Sequence, residues 1–281
     1  MDTTIRLDGE PVDTDQGAQT IIGTATVLLQ CGGFTLLTDP NFLHAGDHAY
    51  LGLGLRSKRL LDPAMEIADL PPLDLVVLSH HHGDHFDHIA ARDLSKDLPI
   101  VTEPHSAAKL RSQGFRRPIA LDTWQQCTFT RGDRSLVITS TPGKHAPQPL
   151  QTLLPPVMGS LLEFADNGHV RFRTYITGDT LLYDRLREIP ERFPDIDLCI
   201  IHLGGTRVAG IWLTMNAEQG IRALRLIKPR TAVPIHTDDY TVFKSGLEEF
   251  RAAVAAATPT LDTEICYVDR GETWRFPIPV R

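Results

Sequence analysis

The chain has 281 residues and a formal net charge of −7, with 28 Lys and Arg residues against 35 Asp and Glu residues. This acidic balance, without basic blocks, is atypical of nucleic-acid-binding proteins. A composition of 42% hydrophobic and 22% charged residues is typical of soluble globular proteins and argues against disorder, and the length fits one domain or at most two.

Short apolar runs rich in Val, Ile and Leu predict the strands. The first two, Thr26–Gln30 and Phe34–Thr38, flank the turn Gly32-Gly33 and predict a strand pair. Asp74–Ser79 predicts a buried strand that leads directly into a cluster of histidines. The same pattern predicts further strands at Pro99–Thr102, Leu136–Thr141, Gly159–Phe164, Val170–Thr177, Leu198–His202, Thr231–Ile235 and Glu264–Val268.

Helical periodicity predicts five helices. Asn216–Ile227 has the strongest signal, because Asn216 can cap the helix and Gln219 lies three residues further on, as in a capping box. The other predicted helices are Phe86–Leu94, Ser106–Gln113, Leu181–Glu188 and Val242–Ala257.

The order of these elements predicts the fold class. The first half of the chain is mostly strands and the second half alternates strand with helix, which favours an α/β sandwich of two mixed β-sheets flanked by helices. Residues 40–73 form a long, largely irregular insertion, and such loops are often functional lids. Since no repeat or linker divides the chain, we expect a single domain over residues 1–281 with a loop insertion at about 40–73.

Targeting signals and cysteines predict a cytoplasmic protein. The N-terminal segment is rich in acidic residues and has no apolar run, so we expect no secretory signal. His145–Leu162 is the longest mid-chain stretch without Lys, Arg, Asp or Glu, but its four prolines predict a loop and not a membrane span. Cys31, Cys127, Cys199 and Cys266 form no CxxC pair, which favours buried, reduced thiols.

A cluster of five histidines within nine residues carries the strongest chemical signal. In it, His80, His82, Asp84 and His85 fit the spacing H-x-H-x-D-H. At the end of a strand, residues 80 and 82 point the same way, so their imidazoles can hold one metal ion. Asp84 and His85 follow in the next turn and can hold a second ion. Imidazole and carboxylate ligands suit Zn²⁺, Mn²⁺ or Fe²⁺.

Three later apolar strands also end at a residue of the metal-ligand type. These residues are His145 after Thr141-Pro-Gly-Lys, Asp179 after Tyr175-Ile-Thr-Gly and His236 after Ala232-Val-Pro-Ile. Each residue alone is most often structural, but strand ends on one side of a sheet are where functional sites collect. Together with the histidine cluster, the three residues complete two coordination spheres.

This ordered set of seven residues resembles the metallo-β-lactamase-fold hydrolase superfamily. The resemblance runs from about Gly23 to His236 and includes Leu36-Leu-Thr-Asp39-Pro40 on an early strand. Within the superfamily, the chain is most similar to a branch that contains ascorbate-phosphate lactonases and N-acylphosphatidylethanolamine phospholipase D-like enzymes. The resemblance implies an αββα four-layer sandwich with a binuclear metal site.

The resemblance also implies a role for each ligand. Two divalent metal ions are expected, with Zn first and Mn or Fe as alternatives. Asp179 would bridge the two ions, and Asp39 would orient a ligand by a hydrogen bond. The first ion would be bound by His80, His82 and His145, and the second by Asp84, His85 and His236.

Three departures narrow the function within the superfamily. Many members of the branch have Gly-His-Ala on the first strand, where this chain has Gly23-Thr24-Ala25. True β-lactamases usually have a Cys ligand and lack the bridging Asp, so Asp179 argues against β-lactam hydrolysis. Flavodiiron proteins have Glu where this chain has His82, which argues against oxygen or nitric oxide reduction.

The expected reaction is hydrolysis by a metal-bridging hydroxide, which cleaves an ester-type bond, a phosphodiester or a lactone, in a small or lipid-like substrate. Gly-x-Ser-x-Gly is absent, which argues against a serine hydrolase. Asp84, Asp179 and His202 are the candidate catalytic residues, with His202 as an acid or a hydrogen-bond donor beside the ligands.

Weaker signals mark candidate contacts around the site. His81 and His88 are expected to point away from the metals. An apolar entrance is expected from Pro149–Leu162 and Tyr50–Leu55. The candidates for substrate contact are His44, His48, Tyr50, Tyr183, Lys144 and Arg207, and Asp238 or Asp239 can hydrogen-bond a ligand imidazole.

Two alternatives stay open at this point. The first is a nuclease of the same superfamily, although the short basic runs Arg56–Arg59 and Arg111–Arg117 form no track for nucleic acid. The second is a metal-binding module without catalysis. We therefore expect a small-molecule or lipid-like substrate, no nucleic-acid partner and no transmembrane segment, and the sequence predicts no particular oligomeric state.

Overall fold

The computed structural model describes residues 3–9, 15–52, 54–148, 150–208, 210–258 and 260–279. Within these ranges the strands are β1 (Thr3–Arg6), β2 (Gln16–Gly23), β3 (Thr26–Cys31), β4 (Phe34–Thr38), β5 (His48–Tyr50), β6 (Arg56–Lys58), β7 (Leu75–Val77), β8 (Ile100–Thr102), β9 (Pro118–Ala120), β10 (Gln126–Arg131), β11 (Arg134–Thr141), β12 (Gly159–Asp166), β13 (His169–Ile176), β14 (Leu198–His202), β15 (Gly204–Val208), β16 (Ile211–Trp212), β17 (Thr231–Ile235), β18 (Phe243–Ser245), β19 (Glu264–Ile265) and β20 (Thr273–Pro277). The α-helices are α1 (His88–Asp93), α2 (Pro104–Ser112), α3 (Glu188–Arg192), α4 (Ala217–Ile227) and α5 (Leu247–Ala257).

Two large mixed sheets contain most of these strands. The first sheet has the order β1-β10-β11-β12-β13-β14-β17-β19, antiparallel from β10 to β13 and parallel from β13 to β19. The second has the order β20-β2-β3-β4-β7-β8-β9, antiparallel from β20 to β4 and parallel from β4 to β9. The expected α/β class with two mixed sheets is confirmed.

The apolar side chains on the two faces of each central strand pack into different hydrophobic cores. In β3, Val27 and Leu29 pack into the core between the two sheets, whereas Leu28 packs on the side of α1 and α2. In β14, Ile200 lies in the core between the sheets, and Ile201 packs on the side of α3, α4 and α5. Because side chains of a strand point alternately to its two faces, each sheet contacts the other sheet and a helical layer. The four-layer αββα architecture is therefore confirmed.

The turn between β3 and β4 is the predicted one. Gly32 and Gly33 have φ values of 59° and 85°, and Cys31 pairs with Phe34 across the turn. Two successive positive φ angles are the geometry of the tight hairpin turn that matches strand twist, and glycine adopts them without steric cost.

Helix α4 begins and ends as its sequence predicts. The side chain of Asn216 accepts a hydrogen bond from the backbone N–H of Gln219 over 2.9 Å. The reciprocal half of the predicted capping box is absent, because the side chain of Gln219 accepts from the backbone N–H of Leu182 instead. The helix ends at Lys228, whose φ of 54° is left-handed.

Two helix predictions are wrong in part. Within Leu181–Glu188, residues 181–183 are not helical, and the backbone N–H groups of Leu181 and Leu182 donate to the carbonyl oxygen of Lys144 and to Oε1 of Gln219. A 3₁₀ turn at Asp184–Arg187 leads into α3 instead. Within Val242–Ala257, residues 243–245 form β18, which pairs with β15, and the helix begins only at Leu247.

The insertion at residues 40–73 is largely irregular, as expected, but it contains a short hairpin. Strands β5 and β6 pair antiparallel, with Ala49 opposite Ser57. A single 3₁₀ turn follows at Ile67–Asp69. All four large hydrophobic residues that the described chain exposes belong to this insertion, namely Tyr50, Leu55, Leu60 and Leu61.

The structure also bears on the predictions about thiols and membranes. All four cysteines are free, three of them buried and Cys266 half-buried. Among the described helices, none has both the length and the apolar character needed to cross a membrane. The single-domain organisation and the cytoplasmic location stay predictions.

Candidate metal centre

The seven predicted ligands meet at one edge of the sandwich. His80 and its neighbours follow β7 of the second sheet, while Asp179 follows β13 and His236 follows β17 of the first sheet. His145 follows β11, which runs in the same direction as β13. Because these strands all end at the same side of the two sheets, their carboxyl ends bring the ligands together. Each of the seven side chains is at least 94% buried.

The first group of ligands consists of His80, His82 and His145, whose ligand atoms lie within 4.8 Å of one another. Nε2 of His80 lies 2.9 Å from Nδ1 of His82. Nδ1 of His145 donates a hydrogen bond to the carbonyl oxygen of Leu213 over 3.1 Å, which leaves Nε2 of this ring available. Three neutral imidazoles in this arrangement can bind one divalent ion.

The second group consists of Asp84, His85, Asp179 and His236, again with ligand atoms within 4.8 Å of one another. Nε2 of His85 lies 3.2 Å from Asp179 Oδ2 and 3.8 Å from Asp84 Oδ2. Nε2 of His236 lies 3.6 Å from each of the same two carboxylates. Two imidazoles and two carboxylates thus converge on one point, and this donor set suits Zn²⁺, Mn²⁺ or Fe²⁺.

Hydrogen bonds to Nδ1 fix the direction of the ligand rings. Nδ1 of His80 lies 3.0 Å from Ser79 Oγ, Nδ1 of His85 lies 3.1 Å from Asp39 Oδ2, and Nδ1 of His236 donates to the carbonyl oxygen of Leu203 over 3.3 Å. Such contacts are typical of metal-binding histidines, because they hold the ring and leave Nε2 for the metal.

Unpaired buried atoms indicate that the second group is built for a cation. Nε2 of His85, Nε2 of His236, Oδ1 of Asp84 and Oδ1 of Asp179 are buried without a hydrogen-bond partner among the described residues. Leaving a buried polar atom unpaired costs about 1–3 kcal/mol. A divalent cation at their centre would satisfy all four atoms, so the residues fit the metal that the sequence implies.

The histidines of the two groups have pKa values shifted in opposite directions. Burial, reinforced by the neighbouring imidazoles, holds the pKa of His80 well below its usual range and lowers that of His82 to about 3. Burial also lowers the pKa of His145. In the second group burial opposes the charge on His85, but Asp179, Asp84 and Asp39 outweigh it and raise its pKa well above the usual value. The first group is therefore neutral and ready to bind a metal at pH 7, while the two carboxylates of the second group favour positive charge on its imidazoles.

Asp179 belongs to the second group and also acts on the first. Its negative charge opposes the lowering of the pKa at all three imidazoles of the first group, although burial outweighs it there. Despite burial, the imidazoles of His236 and His85 hold the pKa of Asp179 well below its usual range. The residue is thus an ionised carboxylate of the second group whose charge also acts on the first group.

Asp39 lies directly behind the ligands, where the sequence places it. Its carboxylate accepts hydrogen bonds from the backbone N–H of Ser79 over 2.6 Å and from Ser79 Oγ over 2.9 Å. It also contacts Nδ1 of His85 and, over 3.3 Å, Nε2 of His202. Although burial opposes ionisation, these imidazoles lower the pKa of Asp39 to about 2. One carboxylate therefore orients His85 directly and His80 through Ser79.

His202 belongs to this outer layer and is fully buried. Both of its ring nitrogens are engaged, Nε2 with Asp39 and Nδ1 with Thr177 Oγ1 over 3.3 Å. Burial lowers its pKa. The His202 ring stacks on the His85 ring with 6.0 Å between their centroids, on the side where Asp39 lies.

Asp239, one of the two residues expected to hydrogen-bond a ligand imidazole, instead belongs to a buried ionic network that supports His236 from outside. His236 has a φ of 63°, and its backbone N–H donates to the carbonyl oxygen of Thr24 over 2.9 Å. The N–H of Thr24 in turn donates to Asp239 Oδ2 over 2.7 Å. Asp239 also contacts Arg270 over 2.5 Å and the fully buried Arg59 over 3.6 Å. A non-glycine residue with positive φ is strained, and this network holds the ligand in that conformation.

The weaker candidates for substrate contact lie in three different places. His48 and Tyr50 line a cavity that also contains His82. His44 instead pairs with Glu66 over 3.1 Å, with both side chains half-exposed. Tyr183 packs at the edge of the core around α3 to α5, and the centroid of its ring lies 5.8 Å from Lys144 Nζ.

Other candidates lie apart from the ligand atoms. Arg207 donates to the carbonyl oxygen of Gly210 and lies over the ring of Trp212. His81 hydrogen-bonds to Gln113, and His88 is exposed at the start of α1, so both point away from the metals as predicted. Asp238 is exposed, as its turn position suggests. Of the expected apolar entrance, Leu53 and Pro149 lie outside the described residues.

Comparison with known proteins relates this fold and site to a family. The family model described as "Beta-lactamase superfamily domain" matches residues 33–237. N-acyl-phosphatidylethanolamine-hydrolyzing phospholipase D 1 of Caenorhabditis elegans is 26% identical over 271 residues, which cover 91% of this chain and 74% of that protein. The UPF0173 metal-dependent hydrolase of Deinococcus radiodurans is 27% identical over 253 residues, covering 87% of this chain and 97% of that protein.

A solved structure shows the same architecture. The isothiocyanate hydrolase from Delia radicum gut bacteria superimposes with a TM-score of 0.77 at 26% identity, and the match covers 93% of this chain and 99% of that one. The family match contains the complete set of ligands from His80 to His236. The resemblance inferred from the ordered ligands is thereby confirmed. The chain belongs to the family described as "Beta-lactamase superfamily domain" and has the metallo-β-lactamase fold.

Proposed function

We propose that the protein is a binuclear metal-dependent hydrolase that cleaves an ester-type bond. One observation carries the proposal: two groups of buried ligand atoms adjoin each other, and four polar atoms of the second group have no hydrogen-bond partner among the described residues. The name of the Deinococcus radiodurans relative, a metal-dependent hydrolase, agrees with this proposal.

Each group would hold one divalent ion. His80, His82 and His145 would hold the first, Asp84, His85 and His236 the second, and Asp179 would bridge them. Zn²⁺ is the first candidate, with Mn²⁺ and Fe²⁺ as alternatives, because imidazole and carboxylate accept all three. When bound, two such ions lower the pKa of water and supply hydroxide near neutral pH.

The chain's own residues would position this chemistry. Asp39 would fix the ring of His85, and His202 would fix Asp39 from the other side. Of the two roles that the sequence allowed for His202, an acid or a hydrogen-bond donor beside the ligands, we propose the second, since both ring nitrogens are engaged and the side chain is fully buried. The burial of the ligands would exclude bulk water and strengthen every charge interaction in the site.

An ester-type bond is the favoured target. The Caenorhabditis elegans relative is named as a phospholipase D that hydrolyses N-acyl-phosphatidylethanolamine, which supports a phosphodiester and a lipid-like substrate. A lactone stays as the alternative within the same class. The chemistry in both cases is attack by hydroxide on an electrophilic centre whose developing negative charge the cations stabilise.

A second candidate reaction has a specific observation in its favour. The superimposed isothiocyanate hydrolase matches over 99% of its own length. Hydrolysis of an isothiocyanate adds water to the central carbon of the N=C=S group and releases an amine and carbonyl sulfide. The same site could perform this attack, because the central carbon of the N=C=S group is an electrophile.

The test is a comparison of three substrates on one preparation. Protein loaded with Zn²⁺, Mn²⁺ or Fe²⁺ would receive an aryl phosphodiester, a simple lactone and an aryl-alkyl isothiocyanate, with chelated protein as the blank. Chelator-sensitive turnover of the phosphodiester or the lactone supports the proposal. Turnover of the isothiocyanate alone supports the second reaction, and no turnover of any substrate by protein with two bound ions contradicts both.

The alternatives from the sequence have no support in the comparisons reported above. A nuclease would need a basic track, whereas the net charge of −7 repels nucleic acid. A module without catalysis would need no bridging carboxylate between two ligand groups. We propose that the partner is a small or lipid-like molecule.

A further inference from the structure

A cavity of about 360 Å³ lies beside the first group of ligands, and His82 forms part of its wall. Leu43, Ala49 and Phe86 also line it, and each of these apolar side chains is almost fully buried. The volume lies within the range of small-molecule sites, which are mostly apolar with a few polar groups. The cavity therefore has the size and character of a binding site.

The hairpin of the insertion brings this cavity to the metal centre. The backbone N–H of Gly83 donates to the carbonyl oxygen of Tyr50 over 2.9 Å. A Cβ atom on Gly52 would lie 3.7 Å from Nε2 of His82, which is van der Waals contact. His82 therefore forms a wall that the cavity shares with the first group of ligands.

The charge at the rim of the cavity is positive. Lys109 of α2 lines the cavity and is exposed, without an ion pair among the described residues. Asp87 is the carboxylate in the wall, but its oxygens already accept from the backbone N–H groups of Phe42, Leu43 and Ala90. The carboxylate is therefore directed into the protein framework and leaves the ammonium group of Lys109 to a ligand.

The other polar groups at this end add hydrogen-bonding capacity. Nε2 of His81 lies 3.2 Å from Oε1 of Gln113, and both side chains line the cavity. The amide nitrogen of Gln113 carries two N–H donors, and this group is not used in the bond to His81. Donors from Gln113 and Lys109 at one end of an apolar cavity suit an acceptor with negative charge.

We propose that this cavity binds the unreacting arm of the substrate, an apolar group that ends in an anion recognised by Lys109. The inference rests on the proposed hydrolase function and adds the substrate class: a small ester-type molecule with an anionic tail, and not a whole two-chain lipid. It also assigns a role to the insertion, whose hairpin forms the wall between the reacting bond and the tail.

Binding of two matched probes tests the proposal without depending on turnover. The probes are 4-phenylbutane-1-sulfonate and the uncharged 4-phenylbutan-1-ol, measured by titration calorimetry on the zinc-loaded protein. A sulfonate is chosen because it is a poor metal ligand. We expect the wild type to bind the sulfonate about three- to tenfold more tightly than the alcohol, as befits a partly exposed charge pair.

Three variants locate the interaction. Lys109→Gln should remove the preference for the sulfonate and leave the affinity for the alcohol unchanged. Ala91→Phe, which fills the cavity from α1, should weaken both probes. Lys228→Asn, a control that removes the same charge at the remote end of α4 and accepts a left-handed backbone, should change neither. Metal content and thermal melting confirm that each variant folds.

The possible outcomes decide between the claims. If the wild type shows no preference for the sulfonate, binds neither probe, or keeps its preference in Lys109→Gln, the proposal is wrong. If the probes bind as expected but no ester or isothiocyanate is turned over, the cavity stands and the proposed hydrolase function fails. If a substrate is turned over but probe binding does not depend on Lys109, the hydrolase function stands and the proposal for the cavity is wrong.

Discussion

The carboxylate of Asp39 lies 3.1 Å from Nδ1 of His85, on the side of the ring opposite to the ligand atom. Asp39 is itself 99% buried and lies at a φ of 35°, a strained value for a residue with a side chain. A buried, ionised carboxylate at this point holds the ring so that Nε2 of His85 faces Asp84 and Asp179. The candidate metal centre thus depends on a carboxylate that lies outside its two groups of ligands.

Asp39→Asn therefore should weaken the second metal site while leaving the fold intact. Loss of a hydrogen-bonded carboxylate behind a ligand typically lowers metal affinity about 10- to 100-fold. Competition with a chromophoric zinc chelator measures this affinity. Asp93→Asn, which alters an exposed carboxylate on α1, serves as the control, and equal affinities in the two variants would contradict the role of Asp39.

His82→Ala and Asp179→Ala each should lose bound metal and activity. We expect about one ion per chain in His82→Ala, because the first group keeps only two ligands, and loss of the second ion in Asp179→Ala, because its carboxylate belongs to the second group. Elemental analysis after gel filtration gives the stoichiometry. His169→Ala removes an exposed histidine and should keep full content. Full metal and full activity in the two ligand variants would exclude the proposed centre.

Removal of the metal should destabilise the protein. Without a cation the four unpaired atoms of the second group stay buried, and two carboxylates repel each other across the site. Since a ligand that binds only the folded state stabilises it by about 2.7 kcal/mol at a hundredfold excess over its Kd, dipicolinate should lower the melting temperature by several degrees. Excess Zn²⁺ should restore it. An unchanged melting temperature would show that no metal binds tightly.

Asp239→Ala should be strongly destabilising. Removing this carboxylate leaves the fully buried Arg59 without its counter-charge and frees the N–H of Thr24, and breaking one partner of a buried ion pair costs about 3–5 kcal/mol. Urea unfolding measures the loss. The adjacent Asp238→Ala removes an exposed carboxylate and should change stability by less than about 0.5 kcal/mol. Similar effects of the two substitutions would contradict the network.

Thiol labelling should distinguish the cysteines. Burial raises the pKa of Cys127 to about 12 and that of Cys31 well above its usual value, so at pH 8 these thiols stay protonated and inaccessible. Half-buried Cys266 should therefore react with Ellman's reagent in the native protein, and all four thiols after denaturation in guanidinium chloride. Rapid reaction of more than one thiol in the native state would show that the core around Cys127 opens readily.

Local patterns explain which parts of the fold were predictable. The strand pair around Gly32-Gly33 and the helix capped by Asn216 follow from contacts within a few residues, and both are confirmed. The helix expected at Leu181–Glu188 is replaced at its start by irregular chain, which hydrogen bonds to the distant residues Lys144 and Gln219 hold in place. Strand β20 was missed because its pairing with β2, more than 250 residues away, leaves no local signal.

The sequence by itself determined which residues are the candidate metal ligands, because H-x-H-x-D-H and three later strand ends have the spacings and residue types that suit metal binding. Only the tertiary structure decided how those ligands are held. The links from Asp239 to Arg59 and Arg270, and the cavity between the hairpin and α2, join residues far apart in the chain. Such contacts depend on the packing of whole layers, whose geometry no short pattern encodes.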